Sequence, residues 1–407
     1  MKILVTLPWM PYPASDGGKQ GSLNMLVETQ HVADIVLVFP VFTKDQLQHM
    51  DTLKAMLPKV KLFPFAYYDN KGSRRSLFFL YRLNRLLVTR WLKQPFMMQT
   101  IYQDEYLDYV TDIIRKEHVD AVQNEYYEQL DLVYALPEDV KKIFIQHEIQ
   151  YVAKERWLES LPSVTPSERY LCASIKAREI AALNSYDQII TMTDIDRDIL
   201  IRDGVTTPVS ASPSFIPFTP EGDFSVESPK HLCFVGPSGH APNLNGVSWF
   251  LDNVWPKVLE RHPEVRFRII GKWDAAIAKN FSSRYRNIDF LGFVDDLGES
   301  LKGHIMIVPL LVGSGIRMKI LESVIHHAPV VTTSVGVEGL DFDKNTECLI
   351  EDEPDRLAEA VARLLTTPGL ADALAHASYE KLCNLYSPAA GARKRIDIYN
   401  RIMHPSA

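Results

Sequence analysis

Short apolar runs rich in β-branched residues alternate with longer segments of helical periodicity along the whole chain. Six such runs occupy the first half, at residues 2–7, 34–39, 60–65, 119–124, 142–147 and 188–193. Six more occupy the second half, at residues 231–236, 266–271, 288–293, 304–310, 329–333 and 347–350. Runs that are apolar on both faces and separated by helices are typical of parallel sheets covered on both sides. The sequence therefore predicts an α/β fold.

A proline-rich segment divides the chain into two parts. Residues 206–230 contain five prolines and show no helical period, and a chain of 407 residues is too long for one ordinary core. We expect two doubly wound Rossmann-like domains that face a central cleft at the carboxyl ends of their strands. The predicted boundaries are 1–210 for the N-terminal domain, 211–230 for the linker and 231–385 for the C-terminal domain. Residues 386–407 are expected to form a helix that either closes its own domain or crosses back to the first.

Charge and cysteine content exclude several classes of protein. The formal net charge of −7 argues against nucleic-acid binding, which rests on a broad basic surface. The four cysteines are far apart and lack metal-ligand spacing, as is typical of reduced thiols in a cytoplasmic protein. The apolar start is too short for a signal sequence, and the chain contains no uncharged apolar run of 18 or more residues. We therefore expect a cytoplasmic protein.

The most informative motif follows the run at 304–310. Gly313, Ser314, Gly315 and Ile316 form a glycine turn ahead of a helix that is predicted to begin at about Ile316. Such a turn brings backbone N–H groups to bear on an anion at the helix N-terminus. Arg317 and Lys319 would occupy the first helical turn, where cations oppose the helix dipole unless an anion is bound. This pattern predicts a diphosphate site; the alternative is that both side chains are simply solvated.

Glu322 lies further along the same predicted helix. A carboxylate beyond a phosphate site can accept two hydrogen bonds from a ribose diol. The alternative is an ordinary exposed glutamate. A second glycine turn, with Gly336 and Gly339, follows the next predicted strand and would lie at the same edge of the sheet.

These motifs, in this order, resemble the nucleotide-binding half of GT-B retaining glycosyltransferases, the large nucleotide-sugar-dependent "glycosyl transferases group 1" family. The resemblance extends to further segments, so that it covers nearly the whole chain: residues 1–26, 143–150, 189–200, 233–272 and 287–297. It implies the transfer of a sugar, with retention, from a nucleotide-diphosphate sugar to a glycan, lipid-linked or other hydroxyl acceptor. It also implies that no metal ion or other cofactor is needed and that the pathway is cell-surface polysaccharide or glycolipid synthesis.

The same resemblance assigns roles to single residues. Gly17 and Gly18 would let the N-terminal loop approach the donor diphosphate and the acceptor. Gly236 would bind the donor, and Phe293 and Val294 would border the base. His147 would contact the transferred sugar; alternatively it is a buried histidine with satisfied hydrogen bonds.

Two departures from the family pattern concern the diphosphate. Ser314 stands where many members have a glutamate, eight positions before Glu322. The loop at 236–246 lacks the Arg and Lys that many members carry there. Arg317 and Lys319 are therefore expected to hold the diphosphate alone.

Polar residues at other strand ends are candidates for acceptor binding. They are Asp16, beside the glycine loop, and Asn124, Glu125 and Glu148. Asp295 and Asp296 form the nearest acidic pair, and their place after a strand favours a helix cap over a metal site.

Residues 71–93 contain seven Lys or Arg and no acidic residue. At helical spacing the basic and apolar residues separate onto opposite faces, which fits a helix lying on an anionic membrane surface. The alternative is a helix packed on its own domain with a solvated basic face.

Two other functions stay open at this point. A sugar-nucleotide epimerase shares the architecture, and a non-catalytic sugar-nucleotide-binding protein is compatible with Ser314. The nucleotide, sugar, acceptor and linkage are left undetermined by the sequence.

Overall fold

The computed structural model describes residues 1–67, 102–159, 161–213, 215–216, 218, 223–313 and 316–403. The basic segment 71–93 lies outside the described residues, as do Ser314 and Gly315. The chain divides into two compact units. Unit 1 comprises Met1–Pro213 and Ala392–Ala407, and unit 2 comprises Ser214–Gly391.

Unit 1 contains a seven-stranded sheet with the order β3-β2-β1-β4-β5-β6-β7, in which every neighbouring pair is parallel. Its strands are β1 (Lys2–Thr6), β2 (Asp34–Val41), β3 (Lys61–Ala66), β4 (Ala121–Glu125), β5 (Lys141–Gln146), β6 (Gln188–Thr191) and β7 (Val209–Ala211). Its α-helices are α1 (Gly17–Thr29), α2 (Met50–Met56), α3 (Asp104–Glu117), α4 (Gln150–Glu159), α5 (Pro166–Leu183) and α6 (Asp194–Arg202). The described residues of this unit also form 3₁₀ helices at Lys44–His49 and Tyr127–Ala135.

Six of these seven strands coincide with predicted runs, and the seventh was missed. β7 pairs with β6 through Ile189 and Val209, although its last residue, Ala211, was placed in the linker. A strand of three residues between Pro208 and Pro213 is too short to show a period in the sequence.

Unit 2 contains a six-stranded parallel sheet with the order β10-β9-β8-β11-β12-β13. Its strands are β8 (His231–Val235), β9 (Phe267–Ile270), β10 (Ile288–Gly292), β11 (His304–Val308), β12 (Val330–Thr332) and β13 (Leu349–Ile350). Its helices are α7 (Ala241–Asn253), α8 (Trp255–Arg261), α9 (Ala275–Arg284), α10 (Leu297–Leu301), α11 (Met318–Ile325), α12 (Ser334–Val337), α13 (Pro354–Thr366) and α14 (Leu370–Leu385). The last described helix is α15 (Pro388–Met403), which belongs to unit 1 from Ala392 onward.

The central strand β11 is buried on both faces. Ile305 and Ile307 belong to one hydrophobic cluster of unit 2, whereas Met306 and Val308 belong to another. Each fully buried side chain of this kind stabilises the fold by about 1.5–3 kcal/mol relative to an exposed one. The carboxyl end of β11, where the turn at Gly313 follows, is therefore firmly held.

Among the described residues, no helix has the length and apolar character that a membrane-spanning helix needs.

Candidate functional site

The turn between β11 and α11 contains the predicted anion site. Gly313 has a φ of +135°, which L-residues with a side chain rarely adopt. A methyl group at Gly313 would also lie 2.8 Å from Nη2 of Arg317. Arg317 is the N-cap residue of α11, and the helix begins at Met318, slightly later than predicted. Arg317 therefore precedes the first turn of the helix instead of lying within it.

Arg317 also contacts the second predicted glycine turn. Its side chain is 8% exposed, and its Nη2 lies 3.4 Å from the carbonyl oxygen of Val335, to which it donates. Val335 belongs to α12, which follows β12, the neighbour of β11. Arg317 therefore contacts the segment that follows β12. Gly336 of the predicted second turn lies in helix α12, and Gly339 follows that helix.

Lys319 is held by two further elements. Its Nζ donates to Oδ1 of Asn243 in α7 over 2.6 Å and lies 4.2 Å from the ring centroid of Phe234 in β8. Removal from water and the charge of Arg317 lower the pKa of Lys319 to about 7, while Glu322 acts in the opposite direction. When no anion is bound, the side-chain amine of Lys319 is therefore protonated less readily than that of an ordinary lysine.

Gly236, which follows β8, lies against the same two side chains. Its φ is +145°, and a methyl group there would lie 2.6 Å from Nδ2 of Asn243 and 3.0 Å from Nζ of Lys319. Its carbonyl oxygen accepts a hydrogen bond of 2.9 Å from Nε1 of Trp273. The structure therefore brings the predicted residues Gly236, Lys319 and Arg317 together.

His240 was missed by the sequence analysis, which looked only for Arg or Lys in the loop after β8. It is the N-cap residue of α7, and its side chain hydrogen-bonds Asn243. Desolvation and the charges of Lys319 and Arg317 lower the pKa of His240 below its usual value. The loop thus contributes a histidine and an asparagine to the basic cluster formed by Arg317, Lys319 and His240.

The other described donor candidates of unit 2 are Glu322, Ile316, Val294 and Phe293. Glu322 is on α11, and burial raises its pKa to about 7, opposed by the charge of Lys319. Ile316 and Val294 pack against the hydrophobic cluster that contains β11 residues. Phe293 follows β10, two strand positions or roughly 10 Å from β8, and its side chain is 86% exposed.

In unit 1, His147 and Glu125 come together at the ends of neighbouring strands. Nε2 of His147 lies 3.1 Å from Oε2 of Glu125, and Glu125 is only 3% exposed. The ring of Tyr126 stacks on the His147 ring with a centroid separation of 3.8 Å and an interplanar angle of 3°. Burial would raise the pKa of Glu125, but the hydrogen bond with His147 and the charges of His147 and Arg395 lower it below its usual value.

The predicted glycine loop of unit 1 is the first turn of a helix. Gly17 and Gly18 begin α1, because Asp16 caps the helix and its Oδ1 accepts a hydrogen bond of 3.0 Å from the amide of Lys19. The prediction of a loop at these glycines was therefore wrong. The carbonyl oxygen of Gly18 accepts a hydrogen bond of 2.6 Å from the Tyr126 hydroxyl, which ties this turn to His147.

Two predicted acceptor residues form hydrogen bonds within unit 1. Asn124 is fully buried; its Oδ1 accepts from the Thr6 hydroxyl over 2.8 Å, and its Nδ2 donates to the Tyr186 hydroxyl over 3.0 Å. The carboxylate of Glu148 lies 3.4 Å from Nε2 of Gln150.

In unit 2, the prediction that Asp296 caps a helix is confirmed, since it caps α10 by accepting a hydrogen bond from the amide of Glu299.

Comparison with known proteins gives one family match. Residues 229–367, all in unit 2, match the family model described as Glycosyl transferases group 1. A Klebsiella pneumoniae protein named "Uncharacterized 44.6 kDa protein in cps region" is 23% identical over 367 residues, covering 86% of this chain and 88% of that protein.

Solved structures resemble the chain over its full length. TarM of S. aureus, as a mutant in complex with Fondaparinux, α-GlcNAc-glycerol and UDP, has a TM-score of 0.68 and 12% identity, covering 98% of this chain and 99% of that chain. Sucrose-phosphate synthase from Thermosynechococcus elongatus has a TM-score of 0.71 and 13% identity, with full coverage of both chains. These similarities confirm the predicted GT-B fold.

Proposed function

We propose that the protein binds a nucleotide-diphosphate sugar through unit 2 and transfers its sugar to an acceptor hydroxyl. Residues 229–367 of this unit match the family described as Glycosyl transferases group 1. The enzyme class predicted from the sequence, a glycosyltransferase, is confirmed by this family match.

The basic cluster of unit 2 is the observation that carries the proposal. Arg317, Lys319 and His240 lie close enough that the charge of one lowers the pKa of another. Cations held together and partly out of water repel one another, and an anion placed between them removes that repulsion. Charge-assisted hydrogen bonds from Arg and Lys are among the strong ones available for a diphosphate.

The cluster also fits the chemistry of the transfer. When the bond to the anomeric carbon breaks, negative charge develops on the leaving nucleoside diphosphate, and Arg317 and Lys319 would stabilise it. Glu322 would accept hydrogen bonds from the ribose hydroxyls, and the exposed ring of Phe293 would border the base. We propose that transfer proceeds with retention and without a metal ion, as the resemblance of the sequence motifs implies.

The comparisons support a polysaccharide or glycolipid acceptor. The Klebsiella pneumoniae relative carries "in cps region" in its name, and the TarM complex contains UDP together with α-GlcNAc-glycerol. We propose that the protein acts in cell-surface polysaccharide or glycolipid synthesis, in the cytoplasm and at the inner face of the membrane.

A melting-temperature panel tests the donor site. UDP, GDP, ADP and their sugars are added to the parent chain, to Arg317→Ala and to Lys279→Ala, an exposed charge change in the same unit. One nucleotide should raise the melting temperature of the parent and of Lys279→Ala, and much less that of Arg317→Ala. If no nucleotide moves the melting temperature of the parent chain, the proposal is wrong.

Product analysis then separates the possible reactions. Transfer should require an acceptor, should persist in EDTA, and should give a product with the anomeric configuration of the donor. An isomerised sugar nucleotide formed without acceptor would instead indicate the epimerase. Donor binding without turnover against any acceptor pool would indicate a binding protein.

A further inference from the structure

Glu125 of unit 1 lies behind His147 in a chain of directed hydrogen bonds. The Tyr399 hydroxyl of α15 donates to Oε1 of Gln123 over 2.5 Å. Nε2 of Gln123 then donates to Oε1 of Glu125 over 2.7 Å. Oε2 of Glu125 lies 3.1 Å from Nε2 of His147. Because a phenol with an amide oxygen as its neighbour donates its proton, the direction of each bond in the chain follows.

The carboxylate is buried and charged. Glu125 is 3% exposed, and Arg395, which is 1% exposed, lowers its pKa through its own charge. An ionised carboxylate can only accept hydrogen bonds, so the Nε2 atom of His147 that faces it must carry a proton. In its neutral form the His147 ring therefore carries its proton on Nε2 and leaves Nδ1 as the acceptor.

One further contact restricts the ring itself, and three others hold the residues around it. Tyr126 stacks on it almost in parallel, and the Tyr126 hydroxyl donates to the carbonyl of Gly18. Oγ of Ser22 lies 3.3 Å from Oε2 of Glu125 and 2.9 Å from the Tyr126 hydroxyl. With 17% of its side chain exposed, His147 stays partly accessible to a ligand.

We propose that Glu125 is a positioning residue, which fixes the proton of His147 on Nε2 so that Nδ1 accepts a hydrogen bond from a hydroxyl of a sugar substrate. This inference rests on the proposed function for the identity of the sugar, but the arrangement of Glu125 and His147 does not. The terminal helix α15 takes part, since it supplies both Arg395 and Tyr399. A second group that holds the tautomer of a histidine is a general device for making its free nitrogen available.

The substitution Glu125→Gln tests this directly, since it preserves shape and removes charge. Gln123 already donates to the Oε1 position, so the oxygen of the new amide should occupy that position. The new NH₂ group would then face Nε2 of His147 and require it to accept a hydrogen bond. The His147 tautomer should therefore change from Nε2–H to Nδ1–H.

Nitrogen-15 NMR of the full-length chain reads the tautomer without any activity assay. His147 is one of 12 histidines, and its signals are assigned by their loss in His147→Gln. The parent should show the Nε2–H tautomer and Glu125→Gln the Nδ1–H tautomer. An Nε2–H tautomer that persists in folded Glu125→Gln would overturn the proposal, as would an Nδ1–H tautomer in the parent. Should Glu125→Gln not fold, the parent spectrum alone still decides.

Kinetics of the same variants show whether Glu125 acts through His147. We expect kcat to fall about 10–100-fold in Glu125→Gln, with the KM for the nucleotide sugar changed less than about threefold. The double variant Glu125→Gln/His147→Gln should be no slower than His147→Gln alone, because the two residues act as one unit. If the fold-losses in kcat of the two single variants multiply in the double variant, the coupling is refuted and Glu125 has a purely structural role. A parent chain with the expected tautomer but no transfer would refute the proposed function and leave the positioning role standing.

Discussion

The ammonium group of Lys319 donates to Oδ1 of Asn243 over 2.6 Å and so joins α11 to α7. The orientation of the Asn243 amide is fixed, because its Nδ2 donates to the carbonyl oxygen of Pro237 over 3.0 Å. Asn243 is 3% exposed, so neither group can turn away without breaking a buried contact. The position of the lysine in the basic cluster therefore depends on a neutral side chain 76 residues earlier.

Asn243→Asp should weaken nucleotide binding while the size of the side chain stays the same. The new carboxylate would pair with Lys319 and repel the diphosphate, which we expect to raise the dissociation constant about 10–100-fold. Isothermal titration calorimetry with the nucleotide that binds best measures this, with Lys279→Ala as the control. An Asn243→Asp variant that binds as tightly as the parent would show that Lys319 does not contact the diphosphate.

Gly236→Ala should disturb the cluster for reasons of both space and backbone. The added methyl would displace Asn243 and Lys319, and the positive φ disfavours any side chain. Gly303→Ala is the matched control, since Gly303 also has a positive φ, of +69°, but nothing lies within 4 Å of its added methyl. Both variants should lose about 1 kcal/mol or more of stability, measured by urea unfolding. Only Gly236→Ala should lose nucleotide binding, and equal binding losses in the two would refute the steric argument.

Nucleotide binding should depend on pH through Lys319. In the free protein its pKa is lowered to about 7, and a diphosphate beside it would raise that pKa. Between these two values, binding takes up a proton, so the affinity should fall as the pH rises above about 7, by up to tenfold per pH unit. Calorimetry at pH 8 in buffers of different ionisation enthalpy counts the protons taken up.

Lys319→Arg provides the control for this proton uptake, because the guanidinium stays charged throughout the range. The variant should bind nucleotide with a smaller dependence on pH and fewer protons taken up. Proton uptake that is unchanged in Lys319→Arg would assign the titration to another group, such as Glu322, whose pKa is also raised to about 7.

Local patterns in the sequence predicted the parts of the molecule that depend on local geometry. Within the described residues, the apolar runs marked twelve of the thirteen strands. The residues around Gly313 marked the turn and Arg317 because they are neighbours in the chain. The partners of those residues could not be found in this way. Asn243 is 76 positions from Lys319, and Arg395 lies in the terminal helix far from Glu125. Such pairs come into contact only after the sheet has brought strand ends together. The spacing of residues along the chain therefore does not predict these contacts.

Membrane attachment through residues 71–93 stays a prediction of the sequence. Changing Arg82, Arg85 and Arg90 to Glu should reduce co-sedimentation with vesicles containing anionic lipid, because each basic residue contributes about 1 kcal/mol near such a surface. The control variant changes three exposed basic residues of α15, Arg393, Lys394 and Arg401, to Glu. Its net charge therefore changes by the same amount. Equal loss in both triple variants would mean that net charge alone is responsible.

Glu179 should make the stability of unit 1 depend on pH. It is fully buried, and its carboxylate accepts from Nε2 of Gln146 and from the amides of Gln150 and Tyr151, at the start of α4. Burial raises its pKa to about 7 from an ordinary value of 4.5. Between those values the folded chain holds a proton that the unfolded chain has lost, so the free energy of unfolding falls as the pH rises. The loss amounts to about 3 kcal/mol by pH 8.

Glu179→Gln removes this titration, at the cost of about 1 kcal/mol of hydrogen bonding at pH 5. Urea unfolding at pH 5 and pH 8 should therefore show the variant less stable than the parent at pH 5 and more stable at pH 8. Glu159→Gln changes an exposed glutamate of α4 and should differ from the parent by the same small amount at both pH values. A Glu179→Gln difference that is the same at pH 5 and pH 8 would mean that Glu179 is ionised in the folded chain at both.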